Sequence, residues 1–247
     1  MTIRILGVAT LAACVSMNAH ATMVASDNGS NYSGGWTSGS NGGFGFGAWS
    51  FSSYGGGYKG AFIGDPANIG VTGMGSSAFA LYANGSDTPT MRAYRYFSNS
   101  LGVGESFSFD WGVNWTSGFG GSKGIKLMSG NGTEINLYNN GNSDQILLNG
   151  QDVGFGYGTN AMTWTFTQTS ATTIAVTAND RDGSGSFSTT INVTGVLSGF
   201  MLEAQGLGGG GQREPYYNNF TITGVPAPGA MALMGVAGLV AGRRRRA

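Results

Sequence analysis

The sequence predicts an all-β protein: a two-sheet antiparallel β-sandwich, flanked by a signal peptide and a short C-terminal hydrophobic helix. Three observations carry the prediction. From Ser76 onward, apolar and polar residues alternate with period two, the repeat of a strand with one buried face. Clusters of Gly, Asn, Asp and Ser interrupt that alternation about every 8–12 residues, the rhythm of a sandwich of roughly ten to twelve strands. Helical periodicity is absent from the same stretch, and no internal repeat suggests a propeller or β-helix.

The chain opens on an export signature. Met1–Arg4 carries one positive charge, Ile5–Met17 is apolar, and Ala19-His20-Ala21 is an A-x-A cleavage site. Ala19 and Ala21 therefore mark a signal peptide over 1–21, with the mature chain beginning at Thr22. A lipobox, Leu11-Ala12-Ala13-Cys14, is the competing reading and would leave Cys14 lipidated. The apolar run before it is about six residues, below the usual 7–15.

Residues 22–224 form one domain. Its first part, Asn28–Gly64, is glycine-dense but punctuated by Trp36, Phe44, Phe46, Trp49, Phe51 and Phe62. Aromatics at that frequency carry large burial free energies, so this part is read as ordered loops and short strands plugging one end of the sandwich. A free Gly-rich spacer is the alternative. Ser76–Ala83 and Thr90–Phe97 are strands on either side of the loop Asn84–Asp87. Ser106–Trp115 is the clearest strand: Phe107, Phe109, Trp111, Val113 and Trp115 alternate with small or polar residues, so all five enter a core. Gly124–Ser129 and Thr133–Tyr138 flank an Asn131-Gly132 hairpin turn. Gln145–Asn149, Ala161–Thr169, Thr172–Ala178, Ser186–Thr194, Gly199–Ala204 and Tyr217–Thr223 complete the set.

The tail, Val225–Ala247, has three parts: Val225-Pro226-Ala227-Pro228, an apolar run Gly229–Gly242, and Arg243, Arg244, Arg245 and Arg246. A helix of that run reaches about 21 Å at 1.5 Å per residue, short of the roughly 30 Å bilayer core. The arginines fix its end on the cytoplasmic side. The prolines hold the chain extended just outside the membrane, where a protease can reach it. This arrangement resembles the PEP-CTERM sorting signal, with Ala227 where that family carries Glu. The resemblance implies an exosortase-type membrane protease as processing partner, and delivery to the cell envelope, cell surface or extracellular matrix. An ordinary tail anchor is the other reading.

The domain itself also resembles a known group. The blocks NGGFGFGAWSF, GAFIGDPA, SAFALYAN, FSFDWGVNW, AMTWTFTQTSATTIAVTA and PYYNNF are similar to exported bacterial domains of the concanavalin A-like (laminin-G-like) type. That resemblance implies a jelly-roll arrangement of the two sheets.

Composition excludes several chemistries. The whole chain is formally neutral, but Arg4 and the four tail arginines are targeting residues; residues 22–224 hold 7 Lys+Arg and 12 Asp+Glu, or 7 − 12 = −5. An acidic domain without a basic stripe is not a nucleic-acid binder. Cys14 and His20, the one Cys and one His, both lie in the predicted signal peptide. Disulfides, Cys or His catalysis and the usual zinc sites are thereby excluded from the mature domain. No cofactor is expected.

Candidate sites are few. Sugar hydrolysis needs two carboxylates about 5–10 Å apart. Glu105 and Asp110 fall on opposite strand faces, while Glu134 and Glu203 each stand alone within their strands. Asp180–Gly185 imitates the start of a calcium loop, but Ile191 occupies the position of the bidentate Glu, and an Asp-Gly turn explains the same residues. Trp111, Trp115 and Trp164 read as core. The aromatics better placed for sugar stacking are Tyr94 and Tyr96, which share a strand face with Arg92, and Tyr216 and Tyr217 beside Arg213. The expected role is a non-enzymatic structural or adhesive matrix protein; the alternative is a carbohydrate-binding module for extracellular polysaccharide.

Overall fold

Alternation decides the architecture. Along β6 (Ser106–Gly112), Phe107, Phe109 and Trp111 are buried while Ser106, Ser108 and Asp110 face outward. In β11 (Met162–Ser170), Met162, Trp164 and Phe166 do the same. A strand with one apolar face must bury it against a second layer. The computed structural model describes residues 21–85, 88–116, 120–179 and 185–224. Among these, the strands form two antiparallel sheets packed face to face. The rest of the predicted signal peptide (Ala19 included), the sorting segment Val225–Arg246 and the turn Asp180–Ser184 lie outside the described residues.

The eight-stranded sheet runs β13 (Ser186–Asn192), β12 (Thr173–Asn179), β11, β6, β15 (Tyr216–Gly224), β4 (Ala78–Asn84) and β3 (Tyr58–Gly64). β1 (Thr22–Asp27) also pairs with β15, along Phe220–Gly224, whereas β4 pairs with Tyr216 and Tyr217. The seven-stranded sheet runs β10 (Gln151–Gly156), β9 (Gln145–Leu148), β8 (Gly132–Asn140), β7 (Ser122–Ser129), β14 (Gly199–Gln205), β5 (Thr90–Tyr96) and β2 (Ser50–Tyr54). Neighbours distant in sequence, such as β6 beside β15 and β7 beside β14, make this a jelly-roll sandwich. Tyr217 crosses the core and donates its hydroxyl to the Gly124 carbonyl of the opposite sheet at 2.8 Å.

Several sequence expectations are corrected. β6 ends at Gly112, where a Cβ would come within 2.8 Å of Val71 and Met74. The chain leaves the sheet there, so Val113 is still buried but Trp115 is 50 % exposed and not core. The strands either side of Asn84–Asp87, whose pairing the sequence left open, belong to different sheets. The β7–β8 reversal falls on Gly130 and Asn131, because Ser129 pairs with Gly132. β1 and β10 were not foreseen: Gly154 and Gly156 erase the periodicity of β10.

The glycine-dense part is ordered, as the aromatics required. Trp36, Phe46 and Trp49 are buried, with Phe44 left outside. What anchors them is Arg95, the inward residue of β5. Its Nε donates to Gly47 O (3.0 Å), Nη2 to Asn41 Oδ1 (3.0 Å) and Gly42 O (2.9 Å), and Nη1 to Tyr32 Oη (2.9 Å) and to Asp27. All five guanidinium donors are thereby used. Burial pulls its pKa down to about 9, which leaves it charged at neutral pH.

Candidate functional site

The outer face of the seven-stranded sheet is built by register. Glu203 of β14 lies opposite Arg92 of β5 on one side and Gly124 of β7 on the other. Gly124 pairs with Tyr138, Tyr138 with Leu147, and Leu147 with Asp152, while Arg92 pairs with Ser52. One row of side chains thus crosses all seven strands, roughly 29 Å at about 4.8 Å per strand. The row beside it holds Asn136, Lys126, Met201, Tyr94 and Ser50; the row on the other side holds Asn140, Ser122, Gln205, Thr90 and Tyr54.

Gly124 makes this face a cleft. A Cβ there would lie 2.1 Å from the Leu137 carbonyl oxygen and 2.8 Å from the Tyr138 Cβ. With no side chain there, the β8 backbone comes close, and the floor between Glu203 and Tyr138 is bare backbone. The resulting cleft of about 360 Å³ is lined by Ser122, Lys126, Asn136, Tyr138, Asn140, Glu203 and Gln205, among others.

Its electrostatics centre on one carboxylate between two cations. Glu203 Oε2 accepts from Arg92 Nε at 2.5 Å and Oε1 from Lys126 Nζ at 2.8 Å. The Glu203 side chain is 10 % exposed, against 28 % for Arg92 and 24 % for Lys126, so the cations stand nearer the solvent. The Arg92 guanidinium also lies over the Tyr54 ring, 4.9 Å from its centroid. Burial works against the Arg92 charge, but the bond to Glu203 and its negative charge outweigh it and raise the pKa.

Of the residues singled out from sequence, Arg92, Tyr94 and Tyr96 do share the outer face of β5, with Tyr96 53 % exposed. Tyr216 is a correction. It is buried, because residues 69–78 fold over that end of the eight-stranded sheet and Tyr216 packs among Ile69, Val71, Met74 and Phe62. Tyr217 points into the core. Arg213 donates to Gly209 O at 2.8 Å on that same side of the sandwich, so the two tyrosine pairs are not brought together. Lys126, Tyr138, Asn136 and Gln205 were missed. The alternation of Glu134, Asn136, Tyr138 and Asn140 against Ile135 and Leu137 marked Asn136 and Tyr138 as outward, but only register brings all four missed residues into one cleft with Glu203.

A second cavity of about 380 Å³ lies beside Tyr216, lined by Phe62, Asn68, Ile69, Gln212 and Glu214. Burial pushes Glu214 up to about 7, opposed by the positive charge of Lys123, and pushes Tyr216 up to about 12. Lys123, an inward residue of β7, donates to Arg213 O at 2.7 Å and to Trp115 O; burial lowers its pKa to about 7. Among the described residues no cluster of three Asp, Glu, His or Cys side chains is set to hold a metal ion, and the calcium-like turn at Asp180 lies outside them.

No protein-family model and no curated protein matches the chain. Solved structures of similar shape include the globular domain of T. cruzi calreticulin, at 11% identity and TM-score 0.45, covering 75% of this chain and 86% of that one. The exoplasmic/lumenal domain of VIP36, in a Ca2+/Man3GlcNAc-bound form, aligns at 10% identity and TM-score 0.39, over 71% of this chain and 82% of its own. An alginate lyase from Corynebacterium sp. aligns at 13% identity and TM-score 0.38, covering 61% and 68%. At such low scores the architecture rests on the strand pairing itself.

Proposed function

We propose that this is an exported, non-catalytic adhesive protein of the extracellular matrix that holds polysaccharide along the outer face of its seven-stranded sheet. The observation that carries the reading is the row Asp152–Leu147–Tyr138–Gly124–Glu203–Arg92–Ser52, a mainly polar track interrupted by Leu147 and Gly124 and long enough for several sugar rings. Tyrosines offer an apolar body for a ring face and a hydroxyl for its edge. Asn136, Asn140 and Gln205 add donors and acceptors for sugar hydroxyls. Binding without hydrolysis is favoured because the cleft lining presents one carboxylate, Glu203, with both oxygens held by cations, whereas hydrolysis uses a pair. Export and exosortase processing rest on the terminal segments, 1–21 and 225–247. The intact mass of the protein from its native host tests both ends; retention of Arg243–Arg246 in washed membranes would leave a plain anchor instead.

A glycan array followed by affinity electrophoresis tests the binding face. Tyr138→Ala should weaken retention by about tenfold or more, near 1.4 kcal/mol, with Thr165→Ala on the opposite face unchanged. Equal loss from both variants, or no glycan bound at all, overturns the reading.

A further inference from the structure

We propose that the polymer taken by this cleft is an anionic polysaccharide whose carboxylates are received by Arg92 and Lys126; this rests on the glycan-binding reading above. The first argument is where the cations are. Residues 22–224 carry an excess of five negative charges, 12 Asp+Glu against 7 Lys+Arg, so an anionic chain would be repelled by most of the surface. Arg95 and Lys123 are buried in the interior. Lys59 and Arg213 each donate to a backbone carbonyl four residues earlier, and Arg181 lies outside the described residues. Arg92 and Lys126, by contrast, stand either side of one side chain in the cleft. With Glu203 they sum to 2 − 1 = +1 there.

The second argument is how they are held. Glu203 engages only the Nε edge of Arg92 and one of the three ammonium protons of Lys126, so two Lys126 protons and the η edge of Arg92, with Tyr94 beside it, remain for a ligand. Both cations are more exposed than the carboxylate that fixes them, so an incoming anion meets them first. Glu203 thus acts as a positioning residue. It removes the rotamer freedom of two long side chains before a ligand arrives, and so lowers the entropic cost of binding. The bare backbone floor at Gly124 would let a sugar ring lie beside Tyr138, on the same strand pair as Lys126 and Asn136. A neutral polymer would use the tyrosines and amides but would desolvate two cations against the single carboxylate of Glu203.

The test uses polygalacturonate, hyaluronan and polymannuronate, each beside the same polymer with its carboxyls reduced to alcohols. The protein as exported by its host, its fold checked by circular dichroism, is run in affinity gels at low and high salt. At least one acidic polymer should retain the protein about tenfold more strongly than its reduced form, with retention falling as salt screens the contact. Arg92→Gln and Lys126→Gln should each weaken that retention about tenfold and reduce its salt dependence. Should Arg92→Gln fail to fold, Lys126→Gln and the salt response of the unaltered protein decide. Equal retention on acidic and reduced polymers overturns the anionic assignment and leaves glycan binding standing. Retention on none of the six overturns both.

Discussion

The two outer faces of the sandwich are built on the same strand geometry and do opposite things. On the eight-stranded sheet, Ser188, Thr177, Thr165, Ser108, Thr221 and Ser26 fall in register across six strands. Neighbouring hydroxyls on this face bond each other: Ser108 and Thr165 lie 2.8 Å apart, and Ser106 and Thr167, in the next row, 2.7 Å. Asp110 accepts from Thr163 and Asn219 at 2.7 Å each. On the seven-stranded sheet the equivalent row carries long side chains, a glycine gap and a carboxylate wedged between cations. Short hydroxyl side chains close a surface by pairing with their neighbours; long charged and aromatic ones leave donors and ring faces turned to solvent. That difference is why we propose the second face as the binding surface.

The sharpest way to break this contrast is to fill the gap. Gly124→Ala forces a Cβ against the Leu137 backbone. It should cost about 3 kcal/mol in urea unfolding, at the upper end of overpacking effects, and abolish glycan retention. Ala175→Ser, among the hydroxyls of the other face, should stay within about 0.5 kcal/mol. A harmless Gly124→Ala would mean that the cleft floor is not set by that contact.

A second contrast separates two carboxylates by pH. Glu203 has its ion pairs, whereas Glu214, at the covered end of the eight-stranded sheet, has none within the described residues. Burial raises Glu214 from 4.5 to about 7. In that window the folded protein holds a proton that the unfolded chain has lost. Stability should therefore fall as pH rises from 4.5 to about 7, and Glu214→Gln should flatten the fall. Lys123 works in the next window. Its folded pKa of about 7 lies below its ordinary 10.5, so stability should recover as pH rises between them. Thermal melts across pH 4–10 would show a minimum near neutrality; a flat profile would place both groups in contact with water.

Smaller effects refine the picture. Glu203→Gln leaves Arg92 and Lys126 without their partner and should cost about 1 kcal/mol, as for a partly exposed pair network. That cost should shrink at high salt, which screens the two cations from each other. Ser108→Ala, which removes half of a hydroxyl pair, should cost about 0.5–1 kcal/mol and leave glycan retention unchanged. A binding defect from Ser108→Ala would erase the distinction between the faces.

Most of the fold could be read from residue patterns. Phe107, Phe109 and Trp111 against Ser106, Ser108 and Asp110 state a strand and its buried face, because side-chain alternation is a local property of an extended backbone. The density of aromatics between Trp36 and Phe62 likewise announced order within a glycine-rich stretch. Where alternation was extrapolated it failed: Trp115 keeps the phase of β6 but lies past Gly112, where the chain leaves the sheet.

The candidate site was half legible. Arg92, Tyr94 and Tyr96 share one face of β5 by their spacing alone. Glu203 looked solitary because its partners, Arg92 and Lys126, lie 111 and 77 residues away in the chain. Tyr216 looked exposed because nothing in its own strand reveals that residues 69–78 cover it. Alternation and composition thus determined the strands, their inward faces and the absence of Cys and His chemistry from residues 22–224. Sheet order and register decided which outward residues meet and which are covered, because pairing between strands far apart in sequence is a contest among whole faces that no local pattern records.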